Sequence, residues 1–219
     1  ETIDSLAGNV IHALRAFINH CLSPDAGGYT PSDFPLAGLD QHTVDLLVND
    51  QQHIEDIYPL SPMQQGLLFH TLYAPEASEY FVQLTGTLQG ELDSEAFKRV
   101  WQEVLSRHSI TRTSFVWENL KQPLQIVHSQ IDLPWQELDW CGIPEDEQSA
   151  LLQELLEADH KRGFDLTQAP LMRFSLIRLT ANTHQFVWSH HHLLIDGWSL
   201  SLLLREVFTF YEAFHQKQS

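Results

Sequence analysis

Positive charge is scarce in this chain: 12 Lys and Arg stand against 29 Asp and Glu in 219 residues, a formal net charge of −17. Nucleic acid and anionic membrane surfaces both require a basic face, so that balance argues against either as a partner. Long apolar runs are also missing, none reaching the ~20 residues of a membrane-spanning helix. The opening Glu1-Thr2-Ile3-Asp4 lacks the basic start of a secretory signal, and the expected location is the cytoplasm. Cysteine is limited to Cys21 and Cys141, far apart and without a CxxC partner. Two such thiols argue against a disulfide framework, and no local motif makes either one a nucleophile.

What is present is enough apolar material for a sizeable core, 43% of the chain, arranged as one large domain or two small ones. Apolar positions at Ile3, Leu6, Val10, Leu14, Phe17 and Ile18 predict a first helix that ends at Ser23-Pro24. A turn-rich stretch from Gly27 to Pro35 reads as a linker with anchoring aromatics, followed by a short helix near Val44 to Leu47. A denser pattern begins near Ile54. Residues 1–50 are therefore expected to form a tail and linker, and 51–219 the main folded body.

Within that body, Ser61 and Pro62 mark a helix start over residues 61–74, with Ser61 as N-cap. Tyr80 to Leu88 alternates as a strand, and Asp93 caps a helix to Arg107 whose inner face is Phe97, Val100, Trp101, Val104 and Leu105. Thr113 to Glu118 and Leu124 to His128 read as a hairpin. A polar loop with Trp135, Trp140 and Pro144 leads to a helix from Glu145 to Lys161, closed by Gly163. Leu171 to Leu179 and His184 to Ser189 read as strands, and Trp198 to Phe214 as a helix apolar on most sides and deeply buried. After the Ser61 helix the order is β-α-β-β-α-β-β-α, an α/β fold with helices against a mixed sheet.

Thirteen histidines are scattered except for His190, His191 and His192. Three consecutive strand residues cannot converge on one ion, which argues against a metal site. His191 and His192 stand five and four residues ahead of Asp196-Gly197. A neutral imidazole suits proton transfer near neutral pH, and a neighbouring carboxylate can orient it or anchor its loop. The alternative is a buried strand end whose histidines are satisfied by backbone groups. A position between a strand end and a helix start is where open α/β sheets bind ligands. Alternation turns His191 and His192 to opposite faces, so one of them faces a substrate. Ser61 and Ser199 read as helix caps, His70 and His190 as structural. No Ser-His-Asp order with a nucleophile elbow is present, which favours direct transfer over an acyl-enzyme.

Four segments together resemble the condensation domains of nonribosomal peptide synthetases. They are His191-His192-Leu193-Leu194-Ile195-Asp196-Gly197-Trp198-Ser199, Leu60 to His70, Arg107 to Phe115 with Thr111 where leucine is usual, and Phe164-Asp165-Leu166 with Pro170 to Arg173. The resemblance spans about Ile54 to Ser219 and implies a chloramphenicol-acetyltransferase-like lobe, the N-terminal donor-side half of a V-shaped two-lobe domain. It further implies amide formation between donor and acceptor thioesters carried on phosphopantetheine arms of upstream and downstream peptidyl carrier proteins, with no cofactor bound directly. By the same resemblance His192 carries the chemistry, as general base or as a positioning group; His191 is structural; Asp196 anchors the loop through an ion pair with Arg112; and Gly197 leaves room for the thioester or offers an oxyanion donor. Gly28 to Leu36 resembles the region that follows an epimerisation domain, which implies a D-donor, L-acceptor subtype. An isolated half is expected to be poorly active or inactive without its acceptor-side half. A coenzyme A-dependent acyltransferase, which shares the His-x-x-x-Asp-Gly core, and a non-catalytic donor-docking subdomain are the competing readings.

Overall fold

The computed structural model describes residues 2–23, 28–48, 53–74 and 80–215, so Pro24, Gly27 and the proposed boundary at residues 50 and 51 lie outside the described residues. The chain divides into two compact units, 1–51 and 52–219. The first holds α1 (Thr2–Cys21) and α2 (Gln41–Val48), with a 3-10 turn at Pro31–Asp33 between them. Its aromatics do anchor: Phe34 and Val44 are buried, and the Tyr29 and Phe34 rings stack 5.3 Å apart.

The second unit contains β1 (Ile54–Pro59), α3 (Pro62–Tyr73), β2 (Phe81–Gln89), α4 (Ser94–Arg107), β3 (Thr113–Val116) and β4 (Leu124–His128). It continues through β5 (Trp135–Asp139), α5 (Glu145–Arg162), β6 (Met172–Thr180), β7 (Thr183–His191) and α6 (Gly197–His215). The strands form two sheets, β1-β4-β3 and β2-β7-β6-β5. All pairs are antiparallel except β5 with β6, which makes the four-stranded sheet mixed.

Two strands were not expected. A bulge between Ile54 and Asp56 breaks the alternation of β1, and β5 is a largely exposed edge strand set in what reads as a polar loop. A third difference concerns α6. It buries Leu203 and Val207 yet leaves Trp198, Leu202 and Phe208 exposed, so its apolar residues cover one stripe of core and the rest face outward.

The core lies between α4, α6 and the four-stranded sheet. All five residues expected on the inner face of α4 are buried. Trp101 lies 4.6 Å from Phe174 and 4.8 Å from Trp188 between ring centroids, and Phe97 meets Phe186 edge-on at 5.2 Å. Packing of this kind adds to the area each ring removes from water. The Nε1 groups of Trp101 and Trp188 are buried without a partner among the described residues, a cost the ring packing has to exceed. Trp101→Ala is expected to lower unfolding free energy by roughly 3–5 kcal/mol in urea denaturation. Trp101→Phe keeps a ring and removes the unpartnered donor, and is expected to cost less than half as much.

Candidate active site

Strand β7 is paired on both edges up to the histidines: Phe81 faces His191, and Val82 and Met172 both face His190. The strand therefore runs two residues past Ser189, through His190 and His191. His192 is the first residue beyond it, and its amide donates to the Tyr80 carbonyl at 2.8 Å. Leu193, Leu194 and Ile195 then turn into the core, each less than a tenth exposed. This burial fixes the loop that holds the His192 ring.

Within the loop the two histidine rings make opposite hydrogen bonds. His192 Nδ1 lies 2.7 Å from the Ile195 carbonyl oxygen, which can only accept, so Nδ1 carries the proton. In the neutral ring the lone pair then sits on Nε2. His191 Nδ1 instead accepts the Leu193 amide at 3.2 Å, which puts the proton of its neutral ring on Nε2. His192 is half-buried, whereas His191 and His190 are 5% and 2% exposed. Burial is the main cause that pushes both of the latter down to about 4, with the neighbouring His192 adding to it. His190 packs its ring 4.9 Å from Trp188, on the core side of the strand.

Asp196 caps α6. Its Oδ1 accepts the Ser199 amide at 2.8 Å, and its carbonyl accepts from the Leu200 amide. The Ser199 amide is the main cause that holds the carboxyl below its usual range, and the nearby His192 ring lowers it further. The expected ion pair with Arg112 is not made. Arg112 is buried elsewhere, with Nη1 2.8 Å from Glu55, Nε on the Leu105 carbonyl at 3.1 Å, and a further bond to the His128 carbonyl. A buried guanidinium needs acceptors for its fork of donors, and the carboxyl-terminal turn of α4 with strands β1 and β4 supplies them. Asp196, exposed at a helix start, has the α6 amides instead.

Gly197 opens α6 without a left-handed backbone, and a Cβ built there meets nothing within 4 Å. No local strain asks for glycine; the open space beside it is what a side chain would occupy. Asp196 takes the Ser199 amide, and the Gly197 amide belongs to the same first helical turn.

Two groups near the site had no role assigned from sequence. Gln64 closes a capping box with Ser61 and also donates Nε2 to the Leu193 carbonyl at 3.3 Å, tying α3 to the histidine loop. The capping pattern was visible in Ser61-Pro62-Met63-Gln64; the contact 129 residues away was not. Asp159 on α5 accepts from Arg173 at 2.7 Å and from Ser189, which clamps α5 to β6 and to the strand of the histidines. Ser61 caps α3 as expected, and His70 is exposed on the last turn of that helix. Among the described residues no group of three or more His, Cys, Asp or Glu is arranged to hold a metal ion, and no helix is long and apolar enough to cross a membrane. Cys21 and Cys141 are free and exposed.

The buried histidines make stability depend on pH in a definite direction. Their folded values lie below the unfolded value of 6.5, so on acidification the unfolded chain takes up protons first. The contribution is whole above about pH 6.5 and is lost as pH falls toward 4, on the order of 3 kcal/mol per histidine. Urea midpoints are expected to fall between pH 7 and pH 5, and less steeply in His190→Phe; a flat profile contradicts the burial account.

Residues 54–219 match the Condensation domain family. One linear gramicidin synthase polypeptide of Brevibacillus parabrevis is 50% identical over 97% of this chain, and bacitracin synthase 1 of Bacillus licheniformis is 32% identical over 96%. The chain spans about 4% of the length of each of these relatives. In fold it is similar to the starter condensation domain of rhizomide synthetase RzmA, with a TM-score of 0.66 at 20% identity over 74% of this chain and 40% of that one. It is also similar to the four-domain nonribosomal peptide synthetase holo-AB3403, with a TM-score of 0.63 at 24% identity over 72% of this chain and 12% of that one. The segments from Leu60 to Ser199 that form and brace the histidine loop all fall within the matched region, and the chain belongs to the condensation-domain family of nonribosomal peptide synthetases.

Proposed function

We propose that this chain supplies the donor-side half of a condensation domain that forms a peptide bond. The amine of an acceptor aminoacyl thioester attacks the carbonyl carbon of a donor thioester; the new C–N bond forms, the C–S bond breaks, and the donor arm leaves as a thiol. Both substrates ride on phosphopantetheine arms of an upstream and a downstream peptidyl carrier protein. The observation that carries this reading is the 2.7 Å bond from His192 Nδ1 to the Ile195 carbonyl. It orients the ring and reserves Nε2 to accept a proton or hydrogen bond from the attacking amine. As the amine proton passes to Nε2, the same nitrogen is placed to return it to the departing thiolate.

Other residues serve that ring. His191, buried and turned the other way, sets the end of the strand. Asp196 fixes the start of α6 and places a carboxylate near the His192 ring, and the Gly197 amide is the donor offered to the developing oxyanion. Arg112 acts on the body of the fold by joining β1, β4 and α4, not on the loop. A preceding epimerisation domain, and with it a D-configured donor, is supported by the resemblance of residues 28–36. These reactions belong to the cytoplasm.

Joined to its downstream half and given loaded donor and acceptor carriers, the chain is expected to make dipeptide, and His192→Ala to lower the rate by roughly 10²- to 10⁴-fold. Undiminished product from that variant contradicts the role given to His192. Asp196→Asn is expected to keep most of the rate, because an amide oxygen still caps α6. D-configured donors are expected to react faster than L-configured ones.

A further inference from the structure

A cavity of about 400 Å³ opens on the face of β7 opposite the Trp188 and His190 side. His191 lines it, together with the aromatic residues Phe81, Trp117 and Phe164 and the last two residues of α5, Lys161 and Arg162. His191 is more than nine-tenths buried, and its Nδ1 is taken by the Leu193 amide. Its Nε2–H has no partner among the described residues, and His191 is one of the residues that line the cavity. Among the described residues two cations, Lys161 and Arg162, and one carboxylate, Asp165, line it. Lys161 and Arg162 are exposed and make no salt bridge among the described residues. The lining carboxylate, Asp165, accepts from Thr167, while Asp159 is paired with Arg173. Arg173 also lies 4.1 Å over the Phe164 ring and shares a positive field with Arg162.

We propose that this cavity is a second small-molecule site, for an amphiphilic organic anion: a carboxylate or phosphate carried on an apolar body. The head group sits between Lys161 and Arg162, where charge-assisted hydrogen bonds are strongest. The body lies against Phe81 and Phe164, which are stacked 5.3 Å apart and give a preformed apolar wall. A polar atom of the ligand reaches the His191 Nε2–H. His192 is not among the residues that line this cavity, although the two histidines are adjacent, so an occupant touches the residue that ends the strand.

The test is binding to the full chain, which needs no transfer activity. Hexyl phosphate and hexanoate are titrated while the histidine ring signals are followed by ¹⁵N NMR, with hexanol and inorganic phosphate as probes lacking the charge or the body. Saturable binding of at least one amphiphile that shifts His191 Nε2, with roughly tenfold weakening in Lys161→Ala/Arg162→Ala, is the expected result; both side chains are exposed, so the fold is kept. Comparison of the two amphiphiles tells a phosphate head group from a carboxylate. No saturation at millimolar concentration, unaltered affinity in the double variant, or equal binding of hexanol overturns the proposal.

Discussion

Strand β7 is paired on both edges to its end, with β6 as far as His190 and with β2 as far as His191, where the ladder stops. The backbone leaving the sheet must then find new partners for its polar groups within four residues, in a buried place. It does so with the histidines. His191 takes the Leu193 amide, His192 gives its Nδ1 proton to the Ile195 carbonyl, and the Tyr80 carbonyl receives the His192 amide. The same bonds that end the strand thus set the tautomers of both rings. Structure and chemistry are not separable at this point: the loop is satisfied by side chains whose remaining nitrogens are thereby assigned.

Electrostatics follow from where each group is buried. Two of the three consecutive histidines are enclosed and held neutral, while His192 is half-buried and keeps one nitrogen without a protein partner among the described residues. Asp196 stays outside, where the Ser199 amide stabilises its charge by more than desolvation opposes it. Arg112 lies inside, matched by Glu55 and by carbonyls. The exchange of partners has a simple cause, since a buried cation takes the acceptors closest to it and α6 already occupies Asp196.

Much of this was legible in the sequence where the signal was local. The Ser61 cap, the five inward residues of α4 and the hairpin of β3 and β4 all rest on spacings within one element. The signal failed where a distant partner decides the outcome. A bulge hides β1, and β5 is an edge strand whose exposed residues look like a loop. Arg112 sits 57 residues from Glu55, and no spacing rule reaches that far. The motif marked the loop, but the tautomers of its histidines depend on the Leu193 and Ile195 backbone groups, which every residue has. Strand alternation, applied in the sequence to His191 and His192, holds instead for His190 and His191, the last two residues of β7. It does not apply to His192, which lies past the end of the strand.

The account rests on the assignment of protons in two adjacent rings, and ¹⁵N NMR of histidine-labelled protein reads them directly. In the neutral rings, His192 is expected to show a protonated Nδ1 and an unprotonated Nε2, and His191 the reverse. An unprotonated Nδ1 on His192 leaves no donor for the Ile195 carbonyl and no free lone pair on Nε2, and would contradict the role given to that residue.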